Sequence, residues 1–434
     1  MSRRRTNQVI GAACAAAMLL LTAACSNGEP APDKPDGKQP PNVAPKRISY
    51  DPPRSFSRSR PVPLPEEAGN GKITLSGNIA RPLPVTLYRT TAYISAENYL
   101  LAVDTTTGKR LANVSPQLDP LNKPNEFSSD NPAEAPVIST VDANAQVIVP
   151  FLVRISGSGT TAGHNAVEIT GVDAATAKRA WSTQITLPQW AENSYSRLTS
   201  TAVGAENDVA VIQVSNDEHA VTYAVNLTTH KVLWTKNFAA SVVAGDTVVG
   251  IDNLDNTAQQ QAKGVDLSTG NPRWTAEQVG YAASTSLAGP NLALFTGRDY
   301  GDGDDFAQLL DTHTGQVASS IQEGSSALSC TYDGKSVTVC YSSRGERAFG
   351  LDADSAKLRW QLPDRANNRV APDVSAVHNG ILYGTTENGP ILLNTQTGAD
   401  INASPELAPV VVNGYAGIAL EDEKNNVAAY RTTG

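Results

Sequence analysis

The segment AKGVDLSTGNPRW, residues 262–274, contains the pattern that decides the fold of this 434-residue chain. An apolar strand leads to Asp266, a hydroxyl residue follows three positions later, a glycine at four and a tryptophan at eight. The pattern also occurs as LLAVDTTTGKRL (100–111), EITGVDAATAKRAW (168–181), TYAVNLTTHKVLW (222–234), AQLLDTHTGQVA (307–318), AFGLDADSAKLRW (348–360), ILLNTQTGAD (391–400) and VAAYRTTG (427–434). A repeat of this length indicates a stacked or radial array of similar units.

The repeated positions have a structural explanation. An Asp or Asn before a tight turn accepts hydrogen bonds from the backbone amides of that turn, and a hydroxyl three positions later can do the same. A tryptophan on the following strand offers a large flat surface for packing against a neighbouring unit. We therefore predict that the repeated residues hold the units together and carry no chemistry. These structural residues are the anchors Asp104, Asp173, Asn226, Asp266, Asp311, Asp352, Asn394 and, as an exception, Tyr430, with the tryptophans Trp181, Trp234, Trp274 and Trp360.

Each unit contains the signals of four short strands. In the seventh unit, the turns at Asn379-Gly380, 387–390 and 395–398 separate short apolar or alternating runs, which is typical of strands in an all-β array. Four strands in about forty residues correspond to one propeller blade. We predict an all-β, eight-bladed β-propeller of four-stranded antiparallel blades, or seven blades if one terminal repeat is degenerate. The last repeat ends at Gly434 without a fourth strand, so we expect KITLSGN (72–78) to supply it and remove the open edges.

The N-terminal part of the chain has the features of an export signal and a tether. Residues 1–24 join the basic MSRRR to an apolar run and small residues, which is typical of a signal peptide. The sequence LTAAC (21–25) resembles the lipobox of bacterial lipoproteins, which implies lipid attachment at Cys25, with ordinary secretory cleavage as the alternative. Residues 25–65 are Pro-rich and polar, so we expect a disordered tether. The propeller is predicted to span residues 66–434.

Composition limits the partners of this chain. The formal net charge is −9, which argues against a nucleic-acid partner, because phosphate binding needs a positive surface. The acidic balance is also unlike that of a polybasic protein bound at a membrane surface. After the leader, no segment is apolar enough to be read as a membrane-spanning helix.

Two groups of residues outside the repeat and two histidines inside it are candidates for chemistry. Cys330 and Cys340 bracket a predicted hairpin and in an exported protein are expected to form a disulfide, with a redox-active pair as the alternative. The acidic stretch RDYGDGDDF (298–306) places Asp299, Asp302, Asp304 and Asp305 in one loop. Wrapping of a calcium ion, with Asp299, Asp302 and Asp304 as the candidate ligands, is weighed there against a solvated loop. His230 and His313 fall inside repeat turns and are interpreted as structural.

The pattern shared by LAVDTTTGKRL, GVDLSTGNPRW and GLDADSAKLRW resembles the quinoprotein, or pyrroloquinoline quinone (PQQ)-type, repeat. The resemblance covers about residues 72–434 and implies an eight-bladed propeller in which the repeat docks blades. Such repeats are carried by periplasmic quinone-dependent dehydrogenases and by non-catalytic propellers such as the lipoprotein of the outer-membrane barrel-assembly machinery. The dehydrogenases use an adjacent cysteine pair and often a C-x-x-C-H haem motif. This sequence has neither.

These observations favour a binding role over catalysis. We expect no cofactor, no resident metal and no catalytic residue. The predicted protein is an exported, lipid-anchored monomer on the extracytoplasmic side of the cell membrane, which binds envelope proteins or peptides. The alternative is a PQQ-dependent oxidoreductase.

Overall fold

The repeats form eight antiparallel sheets arranged as the blades of a propeller, as predicted. The computed structural model describes residues 48–69, 82–121, 133–192, 194, 196–254, 259–321, 328–342, 345–402, 405–421 and 426–434. Seven blades have four strands, and the second blade has an additional short strand. The seven-bladed alternative is therefore wrong.

The first four blades follow one another along the chain. Blade 1 contains β2 (Val85–Tyr88), β3 (Thr91–Ala96), β4 (Tyr99–Asp104) and β5 (Arg110–Val114). Blade 2 contains β6 (Asp119–Pro120), β7 (Val137–Val141), β8 (Asn144–Ile155), β9 (His164–Asp173) and β10 (Arg179–Thr186). Blade 3 contains β11 (Thr199–Glu206), β12 (Val209–Ser215), β13 (Ala220–Asn226) and β14 (Lys231–Lys236). Blade 4 contains β15 (Ala239–Ala244), β16 (Thr247–Ile251), β17 (Ala262–Asp266) and β18 (Pro272–Thr275).

The remaining blades repeat the same order, and the last one borrows its outermost strand. Blade 5 contains β19 (Gly280–Leu287), β20 (Leu292–Asp299), β21 (Asp305–Asp311) and β22 (Val317–Ser320). Blade 6 contains β23 (Leu328–Tyr332), β24 (Val337–Ser342), β25 (Ala348–Asp352) and β26 (Leu358–Leu362). Blade 7 contains β27 (Asp373–His378), β28 (Ile381–Thr386), β29 (Gly389–Asn394) and β30 (Asp400–Asn402). Blade 8 contains β31 (Val411–Val412), β32 (Ala416–Leu420), β33 (Val427–Arg431) and β1 (Val62–Pro63).

The third strand of a blade usually ends at the repeat anchor. Asp104, Asp173 and Asp266 are the last residues of β4, β9 and β17. The first strand of each blade is the inner one, and the fourth is the outer one. The core lies between neighbouring blades, because the apolar faces of adjacent sheets pack on each other. Leu309 of blade 5 and Leu351 of blade 6, for example, belong to one buried cluster.

Helix is confined to short connections in the described part of the chain. The 3₁₀ helices are Glu66–Gly69, Gln189–Ala191 and Arg365–Asn367. Within the described ranges, no helix has the length and apolar character that crossing a membrane would require.

The ring is closed by a different N-terminal segment from the one predicted. Val62 pairs with Ala429 and Pro63 with Ala428, so β1 is the outer strand of blade 8. The segment KITLSGN (72–78), to which this role was assigned, lies outside the described residues. Closure of the ring by the N-terminal part of the chain is confirmed, but the closing strand is Val62–Pro63, so the predicted assignment of that strand was wrong. A Pro is acceptable in this outer strand, since an edge strand leaves some backbone groups without ladder partners.

The predicted tether boundary at residue 65 also needs correction. Phe56 is fully buried, and its ring meets the ring of Tyr383 edge-on with centroids 6.2 Å apart. The Tyr383 hydroxyl donates to the carbonyl of Pro53 at 2.7 Å. Residues 48–65 are therefore part of the body and do not behave as a free linker. The sequence interpretation missed this because a single buried aromatic in a Pro-rich stretch has no periodicity to reveal it.

Candidate functional site

The repeat anchors organise the turn between the third and fourth strands. At Asp266, Oδ1 accepts the backbone N–H groups of Ser268 and Thr269 at 3.0 and 2.8 Å, and also both of their hydroxyls. The other oxygen, Oδ2, accepts from Arg273 at 2.6 Å. The hydrogen bond from Ser268, followed by those from Arg273 and Thr269, lowers the pKa of the Asp266 carboxyl. Both oxygens of the Asp266 carboxylate therefore accept hydrogen bonds from residues of its own repeat.

Three of the repeat tryptophans donate hydrogen bonds to the next blade. The indole N–H of Trp234 donates to the carbonyl of Leu267 in blade 4 at 2.8 Å. Trp274 donates to Thr312 in blade 5 at 2.8 Å, and Trp360 donates to Thr395 in blade 7 at 2.5 Å. Each acceptor is the residue immediately after the anchor of the neighbouring blade. The tryptophans therefore both pack and hydrogen-bond across the blade interface.

The repeat glycine receives the tryptophan of the preceding blade. A Cβ on Gly270 would lie 2.8 Å from the ring of Trp234, and a Cβ on Gly315 would lie 2.5 Å from that of Trp274. The same relation links Gly398 to Trp360. These glycines also have positive φ, which other L-residues adopt at a cost. Glycine is therefore favoured at these three positions for two reasons, the close contact with the tryptophan ring and the positive φ.

Blades in which the turn glycine or the tryptophan is replaced show the same dependence of the turn residue on the preceding blade. Trp181 of blade 2 faces a turn in which His230 replaces glycine, and the two rings stack with centroids 4.4 Å apart. Blade 5 has Ser319 where other blades have tryptophan, and the next blade accordingly has Ala356 at the glycine position, with φ of 52°. The identity of the turn residue therefore depends on the side chain that the preceding blade presents.

A second interface device was not predicted. Asp333 is buried in the hairpin turn of blade 6, where Oδ1 accepts the backbone N–H groups of Lys335, Ser336 and Val337. Its other oxygen accepts the hydroxyl of Thr395 in blade 7 at 2.6 Å. One carboxylate therefore closes a turn and connects two blades. In the sequence, the Asp333-Gly334 pair indicated the turn but not the contact between the blades.

The candidates outside the repeat have distinct outcomes. Cys330 and Cys340 lie directly opposite each other on β23 and β24 and form a disulfide, with their Cα atoms 4.0 Å apart. Cys25 lies outside the described residues, so lipid attachment there stays a prediction.

The acidic loop is organised by its own turns. Oδ1 of Asp299 accepts the backbone N–H groups of Gly301 and Asp302, while Oδ2 accepts from Gln278. Asp302 in turn accepts the N–H of Asp304 at 3.0 Å. In the part of the chain that the structure describes, no three His, Cys, Asp or Glu side chains gather as a metal site would need. Two of the carboxylates considered for calcium, those of Asp299 and Asp302, therefore accept backbone amides of the loop.

A concave feature of the described part of the chain is a cavity of about 660 Å³, which we call the blade 6–8 cavity. Its walls are formed by the inner strands β23, β27 and β31, by the ends of neighbouring strands, and by the connections that lead into blades 8 and 1. The inner strand β31 has only two residues. The apolar part of the wall consists of Leu83, Val374, Ala376, Val377, Pro390, Leu407, Val410, Val411, Val412 and Leu420.

Polar groups make up a substantial part of the cavity wall, and Asp373 is one of them. Tyr341, Ser329 and Thr331 of blade 6 and Ser375 of blade 7 line the same space. Burial raises the pKa of the Asp373 carboxyl, and burial likewise raises the pKa of the Tyr341 phenol. A space of this size, lined by apolar side chains and several polar groups, has the character of a ligand pocket. No sequence signal identified it, because its residues come from three blades and the connections between them and form no motif.

The described chain begins at the opposite end of the inner strand β27. Asp51 accepts hydrogen bonds from His378 at 2.7 Å and from Asn379 at 2.5 Å, and the Tyr50 N–H donates to the Gly414 carbonyl. Asp373 is the first residue of β27 and His378 the last, so they are about 16 Å apart along the strand. The N-terminal entry into the body is therefore remote from the Asp373 end of the cavity.

The fold makes this chain an eight-bladed β-propeller, and its repeat is similar to the PQQ-type repeat. More particularly, residues 72–276 match the model of the family described as "Outer membrane protein assembly factor BamB". The sequence resemblance to PQQ-type propellers is thus confirmed. No curated protein matches the chain.

Solved propellers give weaker likenesses. The computationally designed Ika8 protein is 11% identical with a TM-score of 0.46, covering 89% of this chain and 100% of its own. A europium-containing methanol dehydrogenase is 11% identical with a TM-score of 0.39, covering 87% of this chain and 83% of its own. The Dos1 propeller is 11% identical with a TM-score of 0.44, covering 84% and 81%.

Proposed function

We propose that this chain is an exported, lipid-anchored protein of the cell envelope whose propeller is a non-catalytic scaffold for a protein or peptide partner. The observation that carries the proposal is that the polar groups of the repeat and those of the cavity have different roles. The repeated Asp, Thr and Trp residues are engaged in turns and blade contacts, whereas the blade 6–8 cavity offers polar groups within an apolar wall. Rigid frameworks commonly present binding surfaces in this way.

The family match supports the same proposal. The printed description of the family is that of an assembly factor of the outer membrane, and an assembly factor works by contacting other proteins. The predicted leader, Cys25 and tether would place such a scaffold outside the cytoplasmic membrane. The position of residues 50 and 51 beside the first turns of blades 7 and 8 leaves the Asp373 end of the cavity accessible when the chain is anchored at its N-terminus.

The proposal is tested by crosslinking in cells. A photo-crosslinking amino acid replaces Val411, which lines the blade 6–8 cavity, and in a control variant it replaces Lys357, an exposed residue in a repeat turn of blade 6. We expect a discrete protein or peptide adduct at position 411 that is absent at position 357. The purified protein is also given PQQ with calcium and a dye acceptor. Oxidation of an alcohol or sugar that depends on the quinone would overturn the proposal in favour of an oxidoreductase.

A further inference from the structure

We propose that the blade 6–8 cavity recognises a cationic side chain of its peptide partner, with the ammonium or guanidinium group on Asp373 and the aliphatic stem on the apolar wall. This inference rests on the proposed function and specifies its ligand chemistry. It starts from the Asp373 carboxylate, which lines the cavity and makes no hydrogen bond or ion pair with any side chain in the described ranges.

The isolation of Asp373 contrasts with the other carboxylates of this region. Asp400 pairs with Arg369 at 2.7 Å, and Asp51 pairs with His378 at 2.7 Å. A half-buried carboxylate without a partner is unfavourable, because desolvation penalises its charged form and no side chain of the described ranges pairs with it. An incoming cation would supply the missing partner.

The charges around Asp373 favour a cation over an anion. From blade 6 the titratable neighbour is Tyr341, whose phenol is uncharged at neutral pH, and from the connection into blade 8 it is Glu406. Arg58 is the positive group of the wall, and it donates from Nη1 to the carbonyl of Glu406 at 3.3 Å while its backbone N–H donates to the Glu406 carboxylate. His378 lies at the far end of β27 and is held by Asp51. Of the two carboxylates in the wall, Glu406 contacts Arg58, whereas Asp373 has no side-chain partner among the described residues.

The apolar wall fits the remainder of a lysine or arginine side chain. These side chains carry three or four methylene groups that pack on apolar surface while the charged head reaches a polar partner. Val374, which follows Asp373 on β27, and Val411 on β31 belong to this apolar wall. A volume of about 660 Å³ is more than one side chain needs, so residues flanking the cation can enter as well.

The experiment compares peptides that differ only in charge. The probes are acetyl-Leu-Lys-Leu-amide and acetyl-Leu-norleucine-Leu-amide, in which norleucine keeps the stem and loses the ammonium group, and binding to the purified full-length protein is measured by titration calorimetry. We expect the lysine peptide to bind at least about tenfold more tightly, which is the usual effect of a hydrogen bond to a charged group. In Asp373→Asn this preference should disappear. Asp217→Asn removes an equal charge from an exposed site in blade 3 and should bind as the unaltered protein does.

Two further readouts separate recognition from a general effect of charge. Affinity for the lysine peptide should fall as the pH decreases through the raised pKa of Asp373, and the Asp373→Asn variant should lack this dependence. Equal affinity for both peptides, an unchanged preference in Asp373→Asn, or tighter binding of acetyl-Leu-Glu-Leu-amide would each overturn the inference. If adducts still form at position 411 in that case, the scaffold proposal survives, whereas quinone-dependent oxidation would remove the scaffold proposal itself.

Discussion

Replacing Gly315 by alanine tests the role of the repeat as the connection between blades. Gly315 has φ of +72°, and a Cβ there would lie 2.5 Å from ring atoms of Trp274. The left-handed conformation costs a non-glycine residue about 1–2 kcal/mol. Displacing a packed ring to admit an extra carbon costs about 1–3 kcal/mol more. We therefore expect Gly315→Ala to lower the free energy of unfolding by about 2–5 kcal/mol.

The matched control isolates the steric part of this loss. Gly245 also has positive φ, 57°, but a Cβ there would meet no atom within 4 Å. Gly245→Ala should therefore cost only the conformational term of about 1–2 kcal/mol. Urea unfolding, followed by tryptophan fluorescence and far-UV circular dichroism, gives the midpoint and the slope m for each variant. A change in midpoint at constant m reports the loss of stability.

A double-mutant cycle identifies the clashing partner. In a Trp274→Ala background the ring is absent, so Gly315→Ala should cost no more than Gly245→Ala does. The part of the Gly315→Ala cost that disappears in this background is the coupling energy between positions 274 and 315, and it measures the steric clash. If Gly315→Ala costs the same as Gly245→Ala, or if its cost persists without the tryptophan, the proposed docking of ring on glycine is refuted.

Four further predictions concern carboxylates and the disulfide. Asp333→Ala leaves several buried donors without an acceptor and should destabilise the protein by at least about 3 kcal/mol in urea, with Asp333→Asn losing less. The Asp266 carboxyl, whose pKa is lowered from 3.8, contributes stability that is present above pH 3.8 and lost as the pH falls through its lowered value; the stability difference between the unaltered protein and Asp266→Asn should therefore shrink in acid. Removing the disulfide in Cys330→Ala/Cys340→Ala should cost about 2–3 kcal/mol by the same measurement, because its closed loop is short. The ionised Asp373 carboxyl is expected to lower stability, since its raised pKa means that the folded state binds the proton more tightly than the unfolded state does. Asp373→Asn should therefore raise the Tm at pH 7, measured by calorimetry. This gain in Tm should vanish as the pH approaches 3.8.

The opposite signs expected at Asp266 and Asp373 distinguish structural from binding carboxylates. A carboxylate held by its own turn stabilises the fold when ionised, as at Asp266. An isolated carboxylate at a cavity destabilises the fold and is retained for another purpose, as proposed for Asp373. Gains in stability on removal of a charged group are a common sign of a functional site.

The sequence by itself determined the number and type of the structural units. The spacing of Asp266, Thr269, Gly270 and Trp274 predicted a turn followed by an outer strand, and the eight copies predicted eight blades. These predictions succeeded because each depends on contacts within a few residues, where the chain geometry leaves few alternatives. The hairpin that brings Cys330 and Cys340 together is local in the same sense.

The tertiary structure decided everything that depends on which blades meet. The choice between glycine at 270 and histidine at 230 is explained only by the tryptophan of the preceding blade. Closure by Val62–Pro63 is accompanied by the burial of Phe56 six residues earlier. The blade 6–8 cavity combines residues as far apart as Leu83 and Leu420. Such groupings leave no periodic trace in the sequence, because they are fixed by the closure of the ring and by the packing of sheets that are distant along the chain.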